Sequence, residues 1–412
     1  MKRCALVFLL TIFLPVCAVG ETPKEKAERL DAYYKKTNSW AVQALVLLAL
    51  VDVGHPDAVG TVEKAITGRN PRLLCYGVET LASMPEKVLR AGVSKGLLER
   101  LVKKEFKRNH KYFHARVGEI LRKMTGKTFA SPREAADWWR GAKKTWRPEP
   151  WKAPPVVEKA SPTGEDESLV QKLIEKLFDL GKNGLEIVFV IDATGSMQPT
   201  LDAVRNSVDS LASVLGSIVP RFRMGLVIYR DLSDMQNGAK ISVTLTQKTG
   251  KVKDALATEK ASGGGDFEER VEKGLELALE KKNRMRWSPA AGKVLVVIGD
   301  APPHATNLDR CVELVKNAHQ KPFGIPRVII TGSKKKRLVP FITSTIQVGG
   351  AADTREAFEK ISKAGGGTST TLQSSADVLK GILLVSFGQE WEKEIGRFVN
   401  LFLKFRAEGL FK

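Results

Sequence analysis

The sequence predicts an α/β fold, a doubly wound and mostly parallel sheet, preceded by an all-α region. Three stretches carry that prediction. Leu185–Asp192 and Lys293–Asp300 are short apolar runs rich in β-branched residues, each ending in an aspartate. Between them, Ser262-Gly263-Gly264-Gly265-Asp266 opens a helical pattern over Glu269–Lys281. Apolar runs of this length without alternation mark strands buried on both faces of a parallel sheet. In such sheets ligands lie outside the carboxyl ends of the strands.

Directly after the first run comes Asp192-Ala193-Thr194-Gly195-Ser196, then an amphipathic helix pattern from Pro199 to Val219. One carboxylate and two hydroxyls are thereby delivered on one turn to the end of a central strand. They are hard oxygen ligands, suited to Mg²⁺, Mn²⁺ or Ca²⁺ rather than to zinc. The combined order of Asp-x-Thr-x-Ser, glycine loop and strand-plus-Asp resembles the von Willebrand factor A domain and its metal-ion-dependent adhesion site, over residues 183–388. The resemblance implies a Rossmann-like sheet and a divalent cation, Mg²⁺ first, with a position open to a partner's Asp or Glu. It places Asp192, Thr194 and Ser196 in the first metal loop and Asp300 in the third. Two positions depart from the family pattern. Thr194 stands where serine is usual, which keeps the oxygen. In the second loop the family usually supplies a threonine, but here the glycines are followed by Asp266. Asp266, Ser262 or water then fills that position, and a third carboxylate would make the site net negative. His304, just past Asp300, is the one histidine expected near the site, and with Ser262 it is a candidate contact for the bound partner.

The chain opens with Lys2 and Arg3, an apolar stretch Ala5–Val16, and small residues at Ala18 and Gly20. That is the pattern of a secretory signal peptide over 1–20, cleaved before Glu21. It predicts an exported protein, periplasmic, secreted or at the cell surface. Lipidation of Cys17 is the alternative, and Val16 is large for it. Past the leader no apolar run is long enough to span a bilayer. Two cysteines remain, Cys75 and Cys311, read as small buried thiols in different domains.

Residues 21–146 form the helical domain. Ser39–Val53, Asp57–Thr67, Arg72–Met84, Glu86–Lys107, His110–Met124 and Ala135–Lys144 are helix patterns separated by short turns, mostly of Gly or Pro. Ser131-Pro132-Arg133-Glu134 reads as a capping box. Helix pairs at this spacing resemble HEAT-type repeats, with a plain helical bundle as the alternative. The region is the basic one: residues 21–160 hold 28 basic and 16 acidic side chains, against 36 and 30 in residues 161–412, in a chain of net charge +20. Its cluster Lys103–Lys111 suits an acidic polymer, a membrane surface or simple solvation. Export argues against nucleic acid. His110 and His114 are spaced i, i+4, but Lys111 stands where a zinc hydrolase would need glutamate.

Five prolines between Arg147 and Ser168 predict a linker over 147–168. The α/β domain follows over 169–388, opening on a helix pattern from Glu167 to Leu180. Further strands are expected at Arg221–Arg230, at Ile241–Thr246 as an edge, and at Thr368–Leu372, with helices at Leu308–Ala318 and Thr354–Lys363. The fifth parallel strand is Phe341–Val348 or Val328–Ile330. The segment Pro322–Pro340, with its Lys334–Arg337 run, is read as an exposed insertion. A C-terminal amphipathic helix, 389–412, sets Trp391, Ile395, Phe398, Phe402 and Phe405 in one apolar seam. The seam suits its own domain, the helical domain or a second subunit.

Three functions fit these features. The first is a metal-dependent module that binds a protein through an acidic residue, with the helical domain as a second interaction surface. The second is a phosphohydrolase forming an aspartyl-phosphate on Asp192, but Thr194 occupies the place of the general acid in the haloacid dehalogenase pattern. No Ser-His-Asp set or phosphate-cradling Gly-x-x-x-x-Gly-Lys loop is recognisable. In the third, the metal only stiffens the loops and the helical surface does the recognising. The first reading is the expectation: a binding protein and not an enzyme.

Overall fold

The computed structural model describes residues 22–103, 111–153, 176–177, 180–231, 238–264, 267–280, 283–322, 339–372, 378–387 and 392–410. The leader with Cys17, His110 and most of the basic cluster, most of the linker and of the helix after it, Asp266, the 323–338 segment with Val328–Ile330 and Lys334–Arg337, and Trp391 lie outside the described residues.

The amino-terminal region is helical: α1 (Pro23–Lys36), α2 (Trp40–Ala49), α3 (Asp57–Thr67), α4 (Pro71–Ser83), α5 (Glu86–Gly92), α6 (Lys95–Val102), α7 (Lys111–Thr125) and α8 (Pro132–Ala142). Side-chain caps set the starts of several helices. Thr22 and Glu25 exchange hydrogen bonds in a capping box, Ser39 accepts from the Val42 amide, and Asn70 from those of Arg72 and Leu73. Among the described residues, the expected single helix Glu86–Lys107 is instead two, α5 and α6. Val93 is extended, and Ser94 caps a new helix, accepting from the Leu97 amide at 2.9 Å and donating to Glu63 Oε1 at 2.7 Å. Both pieces bury apolar side chains, Val88 and Leu89 before the break and Leu97, Leu98 and Leu101 after it, so periodicity runs straight through. Cys75 and Cys311 are free and buried, as expected.

From Leu185 onward the chain builds a six-stranded sheet of β1 (Leu185–Asp192), β2 (Phe222–Tyr229), β3 (Ala239–Thr246), β4 (Gly292–Gly299), β5 (Phe341–Val348) and β6 (Gly366–Leu372). Its order is β3-β2-β1-β4-β5-β6. Only the edge strand β3 is antiparallel to its neighbour. The expected fold class is therefore observed, and Phe341–Val348 follows β4 in the sheet. Helices α9 (Gln198–Ile218) and α10 (Gly250–Thr258) cover one face, and α11 (Val271–Ala278), α12 (Leu308–Gln320) and α13 (Ala352–Ala364) the other; α14 (Val378–Phe387) returns to the first. This explains why β1 lacks alternation. Ile187, Phe189 and Ile191 enter one core, Val188 and Val190 the other, and all eight residues of the strand are buried.

The two charged residues of β1 stand near its ends. Glu186 lies in register between Arg223 of β2 and Lys293 of β4. Its Oε1 accepts from Arg223 Nε at 2.9 Å and from Nη2, and its Oε2 from the Ser288 amide at 2.8 Å. Lys293 is 2% exposed and donates to the carbonyls of Pro289 and Ala291, both at 3.1 Å. Burial pulls its amine down to about 8, against the opposing charge of Glu186.

Helix α15 (Glu392–Ala407) joins the two regions. Its seam buries Ile395, Phe398, Phe402 and Phe405. Phe398 stacks on Trp40 and on Tyr76, at centroid distances of 6.0 and 5.2 Å, and Tyr76 Oη donates to the Phe398 carbonyl at 2.9 Å. Ser217 of α9 meets Ser39 Oγ and the Ala41 amide, each at 3.4 Å. One apolar cluster thus runs from Ala27 to Phe405. Of the alternatives for the seam, contact with the helical region and packing on its own domain through α14 are both seen.

The buried amine predicts an alkaline signature. Native Lys293 releases its proton near pH 8, whereas the unfolded chain holds it to about 10.5, so the unfolded state binds more protons between those values. Unfolding free energy should rise with pH across that window, by up to about 3 kcal/mol. Chemical denaturation at pH 7.5, 9 and 10.5 should show this rise in wild type relative to Lys293→Met.

Candidate metal site

β1 and β4 lie side by side at the centre of the sheet, and their following helices, α9 and α12, pack on opposite faces. Such a switch point opens a crevice outside the strand ends. Asp192 ends β1, and Asp300 directly follows β4. Two sequence-distant carboxylates thus meet because their strands are neighbours.

Asp192 is fully buried. Its Oδ1 accepts from the Thr194 amide and the Thr194 hydroxyl, both at 2.8 Å. Its Oδ2 is buried with no hydrogen-bond partner among the described residues. Burial pushes the carboxyl up to about 7, and Asp300 adds to the rise; the Thr194 bonds and the charge of Arg230 pull the other way. Thr194 is buried, Ser196 exposed and Asp300 half-buried.

The loops are laced to one another. The Ser262 amide donates to the Ala193 carbonyl and the Gly195 amide to the Gly263 carbonyl, both at 3.1 Å. The Ala261 amide reaches Gln198 Oε1 at 2.9 Å. Gly263 and Gly264 have φ of +81° and +102°, a region that L side chains rarely adopt. The third loop joins through the Glu269 amide, which donates to the Pro302 carbonyl at 2.9 Å, while Thr354 Oγ1 donates to the Asp300 carbonyl at 3.0 Å.

Arg230, one residue past β2, clamps the first loop. Its Nε donates to the Ala193 carbonyl at 2.8 Å and its Nη2 to Glu259 Oε1 at 2.7 Å. Lys240 adds a second cation to Glu259 at 2.8 Å. Sequence reasoning missed Arg230, and it missed Glu269 as a buried carboxylate. A Cβ on Gly264 would stand 3.7 Å from Thr194 Cβ and 4.0 Å from Glu269 Oε1, so both border the same glycine. The only sequence signal for Arg230 was its place immediately after an apolar strand.

Of the expected site residues, Asp192, Thr194, Ser196 and Asp300 gather at the crevice, and Ser262 is tied there by its backbone. Asp266 lies outside the described residues. His304 is engaged by two carboxylates, Glu268 at 3.2 Å and Asp231 at 3.6 Å. The donor set fits a hard divalent cation: oxygens only, one of them a buried carboxylate oxygen left unpartnered. Among the described residues, no three His, Cys, Asp or Glu side chains are grouped to hold a metal ion, so the donor set here is two carboxylates and hydroxyls.

This order of strands and loops can be set beside known proteins. Residues 186–374 match the von Willebrand factor A domain. A curated relative, the alpha-protein kinase vwkA of Dictyostelium discoideum, is 26% identical over 125 residues, which are 30% of this chain and 19% of that protein. The chain therefore matches about a fifth of that relative's length. Similar solved structures include the conserved hypothetical protein BatB from Bacteroides thetaiotaomicron, 17% identical with a TM-score of 0.35, covering 53% of this chain and 100% of that one. The SpRpn10 VWA domain is 13% identical with a TM-score of 0.34, covering 50% of this chain and 97% of its own. The A domain generally mediates protein interaction.

The clamp on the first loop can be tested by removing its cation. Arg230→Met leaves the Ala193 carbonyl and one oxygen of the buried Glu259 underserved. It should cost about 2–3 kcal/mol in chemical denaturation, with Arg230→Lys recovering part of the loss.

Proposed function

We propose that the chain is an exported, metal-dependent protein-binding module, recruited by an acidic residue of its partner. The observation that carries this reading is the unpartnered, buried Oδ2 of Asp192 at the switch point, beside two hydroxyls and a second carboxylate. Asp192, Thr194, Ser196 and Asp300 would hold a divalent cation, Mg²⁺ first, with Mn²⁺ or Ca²⁺ also suited. Asp266 or Ser262 would serve the second-loop position. When bound, the cation supplies a Lewis-acidic position for a partner's carboxylate oxygen. Ser262 and His304 would contact the bound partner at that position. A cleft of about 570 Å³ at the same carboxyl edge, between Pro199, Thr200 and Ala203 and the Val348–Gly350 turn, offers room for flanking partner residues.

Binding is favoured over phosphoryl transfer because Thr194 stands where a phosphohydrolase of the haloacid dehalogenase pattern needs its general acid. The basic HEAT-like helical region would supply a second surface, for an acidic polymer or a membrane. The Lys2–Gly20 pattern supports export.

Calorimetric titration of the full chain with Mg²⁺, Mn²⁺ and Ca²⁺ tests the site. Asp192→Ala should lose divalent binding while its far-ultraviolet circular dichroism stays that of wild type, since β1 remains buried without the carboxylate. Affinity equal to wild type would sink the assignment. Capture of an immobilised acidic peptide, with and without chelator, then tests the partner chemistry.

A further inference from the structure

Tyr229 ends β2 in register beside Asp192, and it too is fully buried. Its hydroxyl has no hydrogen-bond partner among the described residues, and neither has Asp192 Oδ2. A buried polar group left in that state costs about 1–3 kcal/mol. Two such groups on paired residues of adjacent strands, at the carboxyl edge of the sheet, are not accounted for by packing alone.

Their placement relative to β4 explains more. A Cβ on Gly299 would lie 2.6 Å from the Tyr229 hydroxyl and 3.5 Å from Asp192 Cβ. The phenol therefore spans from β2 past β1 to the backbone of β4, in space that exists because residue 299 has no side chain. Gly274 of α11 makes the same allowance from the helix side, since a Cβ there would lie 3.0 Å from Tyr229 Cδ1. Burial, and then the nearby carboxylates Asp192, Glu269 and Asp300, hold the Tyr229 hydroxyl well above its ordinary range. It keeps its proton, and carboxylate acceptors are close by.

We propose that Tyr229 is a positioning residue of the metal site, its hydroxyl donating to the Asp192 carboxylate, directly or through one buried water, once the cation is bound. Thr194 already holds Oδ1 through two bonds. A donor on the Oδ2 side fixes the remaining rotation of the carboxylate and leaves a defined lone pair toward the cation. The inference rests on the divalent-site reading above. It assigns the metal's support to β2, a strand from which no ligand was expected.

The test is Tyr229→Phe in the full chain, which keeps the ring and removes only the hydroxyl. Metal-free Tyr229→Phe should melt at or above the wild-type temperature, because an unpartnered buried hydroxyl is gone. Its Kd for Mn²⁺ and Mg²⁺ should rise about 10–100-fold, the usual effect of removing a partner of a metal ligand. Metal addition should also perturb the near-ultraviolet tyrosine spectrum of wild type, and that perturbation should vanish in the variant. Tyr76→Phe, which removes a buried phenol at the joint between the regions, should keep both the wild-type Kd and the spectral change. Metal binding by Tyr229→Phe as tight as wild type or tighter, or an unchanged tyrosine perturbation, would overturn the proposal. Absence of divalent binding in wild type would instead remove the metal reading itself, and this inference with it.

Discussion

Burial of β1 on both faces is the constraint from which the rest of the structure follows. A strand with no solvent-facing side can carry charge only where its ends meet other groups. Glu186 and Asp192 occupy those places, and each is essentially inaccessible to water. At the amino end the solution is electrostatic, with an arginine and a lysine in register on either side. At the carboxyl end Asp192 has Tyr229 in register and no cation among the described residues, and the charge of Arg230 acts on it only from beyond β2. Among the described residues Asp192 has a second carboxylate nearby and an oxygen without a partner, so the two ends are finished on opposite principles. One end is closed for stability and the other is left chemically unsatisfied.

Leaving an end unsatisfied is tolerable because the loops around it are held by their own backbones. The Ala193 carbonyl accepts from the Ser262 amide and from Arg230, and the Gly195 amide returns a bond to the glycine loop. The oxygens of the crevice are thus ordered by bonds that do not involve a ligand. A ligand arriving there meets a site whose ordering entropy has already been met in folding. The positive-φ glycines matter for the same reason, since they let the second loop lie against the first at backbone distance.

Much of this could be read in the sequence. Doubly buried strands leave unbroken apolar runs, and an aspartate at the end of such a run is conspicuous, so β1, β4 and the first and third loops were legible. So was the choice of an edge for β3, because Ala239–Thr246 mixes polar with apolar side chains. Other elements were hidden by the same physics. α14 buries every residue but Lys380, so it shows no helical stripe. α1 buries only Ala27, Leu30 and Tyr34 and reads as polar chain. The break at Val93 depends on a cap whose partner, Glu63, lies on another helix. At the site, Arg230 and Tyr229 acquire meaning only when β2 is laid beside β1, and register is not written in a local pattern. His304 stood close to Asp300 in sequence, yet its neighbours in space are Glu268 and Asp231.

The aromatic joint at α15 bears on how the chain comes apart. Trp40, Tyr76 and Phe398 belong to one packed cluster, so neither region covers its apolar surface without the other. Separating the two regions would strand those rings in water on both. Kept whole, the protein should melt as a single cooperative block. Whatever grips the crevice of the sheet then also protects helices that never touch it, because the unfolded state of either region is shared by both.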